Sequence, residues 1–275
     1  DKVLASPLIE EATIYIGGEN GVFYALNSKT GQEKWRFRTR GHIQGKATLY
    51  GEIVFFESSS VFYALNKVTG KLLWNHDLEW PVWGYKIDHW DDIKPSAIVH
   101  NGVFYIGTSL GTMMGFNAQD GKAVFQLGSP AGPPIRTTPL IKDDKIYFGN
   151  WAGKMFCVSL SDKKLLWEKA TYEKRLYDTY GAITSEIILD NDNLYFGARN
   201  PTITTLNANN GDQVWAYGDT TGGWIVGTPV IYDNTMYIGG SDNFKMHAFD
   251  ANKGELKWTY NTNLNIYTKP IVTDD

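Results

Sequence analysis

Six segments of eleven residues align along the chain without a gap: Ala25 to Trp35 (ALNSKTGQEKW), Ala64 to Trp74 (ALNKVTGKLLW), Gly115 to Phe125 (GFNAQDGKAVF), Cys157 to Trp167 (CVSLSDKKLLW), Thr205 to Trp215 (TLNANNGDQVW) and Ala248 to Trp258 (AFDANKGELKW). A period of this kind constrains the fold strongly, because a unit too small to close its own core must bury its apolar faces against its neighbours. Upstream of the repeats run short strands ending in glycine, such as Ile14-Tyr15-Ile16-Gly17, Ile146-Tyr147-Phe148-Gly149 and Met236-Tyr237-Ile238-Gly239. Their β-branched and aromatic residues suit a pleated, half-buried surface. Further upstream a strand is marked by Ser6-Pro7, Thr138-Pro139, Thr228-Pro229 or Lys269-Pro270, with Ala47, Ala97 and Ile187 in the proline position elsewhere. Each repeat therefore reads as four strands, A to D.

The C–D turn carries glycine at Gly31, Gly70, Gly121, Gly211 and Gly254, where a tight hairpin demands a positive φ. The fourth copy has Lys163 there, at an expected cost of about 1 kcal/mol. From the strand-A marker to the final aromatic the spacing is 28, 27, 28, 28, 28 and 29 residues, whereas from that aromatic to the next marker it is 12, 23, 14, 20, 14 and 12. A fixed scaffold with one variable class of connection places function on loops.

Four short antiparallel strands per period suit the radial array of a β-propeller, which shields sheet edges by closing on itself. The eleven-residue segment resembles the tryptophan-docking motif of the PQQ-type propeller repeat family (PQQ-like or BamB-like propellers), and the resemblance covers almost the whole chain. It implies that Trp35, Trp74, Trp167, Trp215 and Trp258 pack between neighbouring blades, with Phe125 substituting in blade 3. The expected fold is all-β: six complete four-stranded blades plus the first strand of a seventh at Thr268 to Val272. Residues 1–275 are expected to form one propeller domain, an incomplete portion of a seven- or eight-bladed ring.

Charge and composition remove several function classes. The formal net charge is −4 with no clustered basic segment, which argues against a nucleic-acid partner. No run of about 18 apolar residues is present to span a bilayer as a helix. A single cysteine, Cys157, excludes an intrachain disulfide, and its place in the repeat is a small, packed one.

In an up-and-down blade the B–C turns and D–A connections emerge on the same face. The five tryptophans outside the docking motif all fall there: Trp80, Trp83, Trp90 and Trp224 in D–A connections and Trp151 in a B–C turn. Tyr85, Tyr172, Tyr177 and Tyr180 lie in the two longest connections. Such rings offer contact area to a glycan or protein at small entropic cost, or else fold together as a satellite core. Strand A lines the channel of a propeller, and its opening position reads Leu4, Gln44, Lys94, Arg136, Thr184, Val226 and Tyr267. Lys94 and Arg136, with Gln44 as neutral donor, could orient an anionic group; a hydrated channel mouth is the alternative.

His76, Asp77, Asp88, His89, Asp91 and Asp92 gather near the 2–3 connection but match no metal-ligand spacing, so no metal site is assigned. Asp143 and Asp144 read as a solvated A–B turn. No nucleophile elbow, zincin motif or phosphate-cradling loop occurs. Quinoprotein dehydrogenases of the resembled family hold PQQ with calcium against a vicinal cysteine pair, which a lone Cys157 cannot supply, so no cofactor and no catalytic residue are expected. The leading expectation is a non-catalytic, periplasmic or extracellular binding scaffold, with an assembly-factor role as one version, that engages a protein or glycan through its D–A/B–C face. The alternatives are a PQQ- and calcium-dependent dehydrogenase, a carbohydrate-active propeller, and a sensor domain of a larger protein.

Overall fold

In the computed structural model, residues 2–78, 94–128, 132–171, 181–218 and 223–273 are described. They form six four-stranded antiparallel sheets, each with its strands in sequence order. Blade 1 comprises β1 (Leu8–Glu10), β2 (Thr13–Gly17), β3 (Val22–Asn27) and β4 (Glu33–Arg38); blade 2 comprises β5 (Thr48–Tyr50), β6 (Ile53–Ser58), β7 (Val61–Asn66) and β8 (Leu72–Asp77). Blade 3 follows as β9 (Ile98–His100), β10 (Val103–Gly107), β11 (Met113–Asn117) and β12 (Ala123–Leu127), and blade 4 as β13 (Leu140–Lys142), β14 (Lys145–Gly149), β15 (Lys154–Ser159) and β16 (Lys164–Ala170). Blade 5 contains β17 (Ile188–Asp190), β18 (Asn193–Tyr195), β19 (Thr202–Asn207) and β20 (Gln213–Gly218), and blade 6 contains β21 (Val230–Tyr232), β22 (Thr235–Gly239), β23 (Lys245–Asp250) and β24 (Leu256–Asn261). Blades 1–3 lie in one compact unit, Asp1–Gly132, and blades 4–6 in a second, Pro133–Asp275.

The central strands are buried on both faces. Along β6, Ile53 and Phe55 join a core cluster with Phe104, Ile106 and Phe116 of blade 3, while Val54 and Phe56 join Phe23 and Ala25 of blade 1. Period-two alternation thus sends successive side chains to two different neighbouring blades. Aromatic rings stack across both interfaces: Phe23 on Phe56 at 4.0 Å and Phe55 on Phe104 at 4.4 Å between centroids.

The D-strand tryptophan locks these interfaces. Its pairing partner on strand C is always small, since Ala25, Ala64, Cys157, Thr205 and Ala248 face Trp35, Trp74, Trp167, Trp215 and Trp258, and a register shift follows each of them. The irregularity turns the ring toward the next blade. There the indole N–H donates to a backbone carbonyl in the following C–D turn: Trp35 to Lys67 (3.0 Å), Trp74 to Ala118 (2.9 Å), Trp167 to Ala208 (3.1 Å) and Trp215 to Ala251 (2.8 Å). The ring lies flat on the turn glycine, so that a β-carbon on Gly70, Gly121, Gly211 or Gly254 would come within 2.7 Å of it. Turn glycine is therefore required twice, for its φ near +70° and for the space above it.

The turns are also capped. Asn27 Oδ1 accepts from the N–H groups of Lys29 (2.9 Å) and Thr30 (3.0 Å), and Asn66, Asn117, Asn207 and Asp250 do the same in their own turns. Blade 4 has Ser159 in this place and Lys163 at φ 54°. Asp144 takes over the capping, accepting from Ser159 Oγ (2.7 Å), Ser161 N (2.9 Å) and Ser161 Oγ (2.7 Å). Asp144 is exposed in the A–B turn, as read from the sequence, and caps the neighbouring C–D turn in addition.

Four strand-A openings are fixed by a recurring isoleucine. The N–H groups of Ile43, Ile183, Ile225 and Ile266 donate to Gly18, Asn150, Asn200 and Gly240 at 3.1–3.2 Å. The side chains of Ile43, Ile183 and Ile266 cover Gly17, Gly149 and Gly239 at the ends of the preceding strands B, so Ile266 docks as the start of a further repeat, but Thr268 to Val272, expected as its first strand, pair with no neighbouring strand and form none themselves. Truncating a docked ring should cost far more than truncating a rim side chain. Trp74→Ala is expected to lose about 3–5 kcal/mol in urea unfolding, whereas Leu73→Ala, on the exposed side of the same strand, should change stability by roughly 0.5 kcal/mol or less. Equal costs would contradict the docking role.

Candidate functional site

The B–C turns and D–A connections of blades 4 to 6 converge on a buried cation. Trp151 stands in the turn between β14 and β15, its N–H donating to Pro134 (2.8 Å), while Asn150 Oδ1 caps that turn through Ala152 N and Lys154 N at 3.0 Å. Arg199 stands in the equivalent connection of blade 5, its backbone paired in both directions by Arg199 N to Ala182 O and Gly181 N to Arg199 O, each 2.8 Å. Trp224 precedes blade 6, and its carbonyl accepts from Ser241 N (2.8 Å). The Arg199 guanidinium carbon lies 4.4 Å from the Trp151 ring centroid and 5.0 Å from that of Trp224. Arg199 is only 3% exposed and Trp151 8%; Trp224 is half-buried. A desolvated cation against two indoles is worth about 2 kcal/mol or more, enough to hold three connections together.

Two buried donors at this stack find no hydrogen-bond partner among the described residues: the Trp151 indole N–H and the Thr184 hydroxyl. Both are one residue away from the Ile183 N–H to Asn150 carbonyl bond.

The sequence-derived candidates are distributed as follows. Trp151 and Trp224 pack around Arg199 rather than standing free. Arg136 is buried at 1% exposure, in the same unit as Thr184 and Val226. Gln44 and Lys94 belong to residues 1–132, where their segments run side by side: Lys46 N donates to Ser96 Oγ (3.0 Å), and a β-carbon on Gly45 would meet the Pro95 carbonyl. Gln44 donates to Glu19 Oε1 in the B–C turn of blade 1 (3.1 Å). Trp80, Trp83, Trp90, Tyr85, Tyr172, Tyr177 and Tyr180 lie outside the described residues, as do Asp88, His89, Asp91 and Asp92. His76 packs against Phe116 with ring centroids 4.8 Å apart and planes tilted by 50°, and Asp77 pairs with Arg40 at 3.4 Å. Arg199 was not among the candidates. The signal was one cation in a B–C turn, with its aromatic partners 48 residues upstream and 25 downstream in two other repeats.

Comparison with known proteins decides the family. The family model described as "Outer membrane protein assembly factor BamB" matches residues 2–217 and 178–273. The chain belongs to the BamB family. The BamB protein of Shewanella oneidensis is 24% identical over 272 residues, covering 95% of this chain and 65% of that protein. The chain thus spans just under two thirds of this relative's length. The crystal structure of BamB from Moraxella catarrhalis superposes with a TM-score of 0.81 at 15% identity, covering 99% of this chain and 80% of that one. A europium-containing methanol dehydrogenase gives a TM-score of 0.75 at 14% identity, covering 98% and 72%. These likenesses establish the β-propeller fold.

Members of the wider repeat family that carry PQQ set a vicinal cysteine pair against the quinone. Cys157, the single cysteine of this sequence, cannot form such a pair. Cys157 is fully buried in β15, opposite Trp167, and burial pushes its thiol up to about 11, with a hydrogen bond from Tyr147 acting in the opposite direction. Among the described residues, no three His, Cys, Asp or Glu side chains gather as a metal site. The raised thiol has a testable consequence. Native protein at pH 8 should not react with a disulfide-exchange reagent, and one thiol per chain should react in denaturant. Because the folded state keeps its proton above the ordinary value near 9, the contribution is present below pH 9 and is lost as pH rises toward 11. Rapid labelling of native protein would contradict this placement.

Proposed function

We propose that this chain is a non-catalytic scaffold in outer-membrane protein assembly, working on the periplasmic side and binding a protein partner through its B–C and D–A connections. Family membership supplies the process, since the relatives are named outer membrane protein assembly factors. The observation that supports the face is the Trp151–Arg199–Trp224 stack, which pins three connections from successive repeats into one rigid surface. Preorganised loops bind with less ordering cost than mobile ones. Arg199 and Trp151 are buried and act by holding this surface in shape, and Arg136 is buried as well. The accessible groups are half-buried Trp224 in residues 133–275, and Gln44 and Lys94 in residues 1–132, joined in the proposal by Trp80, Trp83 and Trp90. Aromatic contact with flanking polar groups is the usual composition of a protein-binding hot spot.

The test is binding of purified chain to an outer-membrane protein assembly complex depleted of its own such factor. Trp224→Ala and Lys94→Ala should each weaken binding by more than about fivefold, about 1 kcal/mol, with circular dichroism unchanged. Lys122→Ala and Lys253→Ala, in C–D turns on the opposite face, should bind like the unaltered chain. Sensitivity confined to the C–D turns, or binding of a glycan array in place of the complex, would overturn the reading.

A further inference from the structure

The carbonyls that flank the Arg199 stack already accept hydrogen bonds. Pro134 O accepts from Trp151 N, Asn150 O from Ile183 N, Ala182 O from Arg199 N and Arg199 O from Gly181 N, at 2.8–3.1 Å. The side-chain amides are engaged in the same way, Asn150 Oδ1 by Ala152 N and Lys154 N and Asn200 Oδ1 by Thr202 N. The donors do not balance them: the Trp151 indole N–H and the Thr184 hydroxyl, on residues 8% and 3% exposed, find no partner among the described residues. Buried donors are rarely left so, because an unmade hydrogen bond out of water carries the whole desolvation penalty. The buried charge has one sign: among the described residues Arg136 and Arg199 are buried and no Asp or Glu is. Arg199 owes its place to an insertion. In blades 1, 4 and 6 the strand-B glycine is followed at once by the residue whose carbonyl holds the recurring isoleucine (Gly18, Asn150 and Gly240), whereas in blade 5 Ala198 and Arg199 stand between Gly197 and Asn200. Ala198 bridges to both Ile183 and Ile225, which seats the added cation between the two indoles.

We propose that the Trp151 N–H and the Thr184 hydroxyl converge on a binding site for a small carboxylate, one oxygen accepting from each. The bond from Ile183 N to Asn150 O, one residue away from either, ties the two donors together, and the site is built from residues 133–275 alone. A water molecule would accept from both donors but brings two hydrogens of its own to a place whose flanking carbonyls already accept. A carboxylate is acceptor-only. Its hydrogen bonds are charge-assisted and stronger than neutral ones, and the Arg199 cation lies on the face of the same indole that donates. Both donor atoms are closed to solvent, so the group is no larger than acetate or the end of an Asp or Glu side chain. It enters on the side of Trp224, the half-buried ring of the stack.

Titration of the whole chain with sodium acetate, with ionic strength held constant by sodium chloride, tests this through the indole N–H resonance of Trp151 in isotope-labelled protein, assigned with Trp151→Phe. The resonance should move downfield and saturate with acetate, and stay in place with chloride alone. Thr184→Val should weaken acetate binding by at least about tenfold, the loss of a hydrogen bond to a charged group, and Thr184→Ser, which keeps the hydroxyl, should restore it; Thr184→Ala substitutes if Thr184→Val alters the circular dichroism. A Gly-Glu-Gly peptide blocked at both ends, titrated in the same way, separates two sources of the group. A matching shift assigns the site to an acidic side chain of a partner, and a shift with acetate only assigns it to a free small acid. A Trp151 resonance that acetate leaves unmoved, a shift that chloride reproduces, or a Thr184→Val variant that binds as tightly as the unaltered chain would overturn the proposal. The readout is on the chain alone, so these outcomes are independent of binding to an assembly complex.

Discussion

One contact organises the chain: an indole laid on the glycine of the next repeat's C–D turn, with its N–H on the carbonyl three residues before that glycine. The rest of the repeat serves this contact. The strand-C residue opposite the ring is small, the register shift beside it turns the ring outward, and the Asx cap sets the turn that receives it. Because the interface is apolar, an unpaired indole N–H there would carry a desolvation penalty of about 1–3 kcal/mol, so the hydrogen bond fixes position as well as adding attraction. That explains why the marker-to-aromatic spacing stays at 27–29 residues while the D–A connections vary from 12 to 23. Length can change only where no docking partner depends on it.

The same rigidity carries up to the loop face. The isoleucine that opens strand A is pinned to the preceding blade's strand-B end, so even a connection of variable length leaves and re-enters the scaffold at fixed points. On blades 4 to 6 the Arg199 stack adds a second restraint across three connections. A propeller of this type supports different functions by changing those connections, as the likeness to both an assembly factor and a methanol dehydrogenase illustrates, and fold alone does not choose between them. The choice made here rests on family membership and on the chemistry of the side chains.

Much of the fold was legible in the sequence because the docking motif is local and its period is regular. The strands and the turn glycines follow from spacing and residue type, and the interblade positions of Trp35, Trp74, Trp167 and Trp215 from the resemblance to the propeller repeat family. What was not legible depends on contacts between repeats. Trp151 and Trp224 read either as contacts for a partner or as rings packed into a satellite core, and neither reading named the group they clamp, Arg199, which belongs to a B–C connection (Ala198-Arg199-Asn200-Pro201) unlike its counterparts. Arg136 read as a channel-mouth cation but is buried. The capping role of Asp144 went unread, although the loss of both Asn and Gly from the blade 4 turn was a visible sign that some other group had to cap it. Two departures in one turn call for a compensating partner, and the adjacent A–B turn supplies it.

The central claim, that turn glycine is required because the indole occupies the space above it, is tested most directly by a double-mutant cycle between Trp74 and Gly121. Unfolding free energies would be measured for Gly121→Ala, Trp74→Ala and the double variant, with Gly31→Ala as a reference for a turn whose upper face is open. In the presence of Trp74, Gly121→Ala should cost clearly more than Gly31→Ala. In the Trp74→Ala background its cost should fall to that of the positive φ alone, roughly 1 kcal/mol, giving a coupling above about 1 kcal/mol. Additive costs, with Gly121→Ala no worse than Gly31→Ala in either background, would contradict the account.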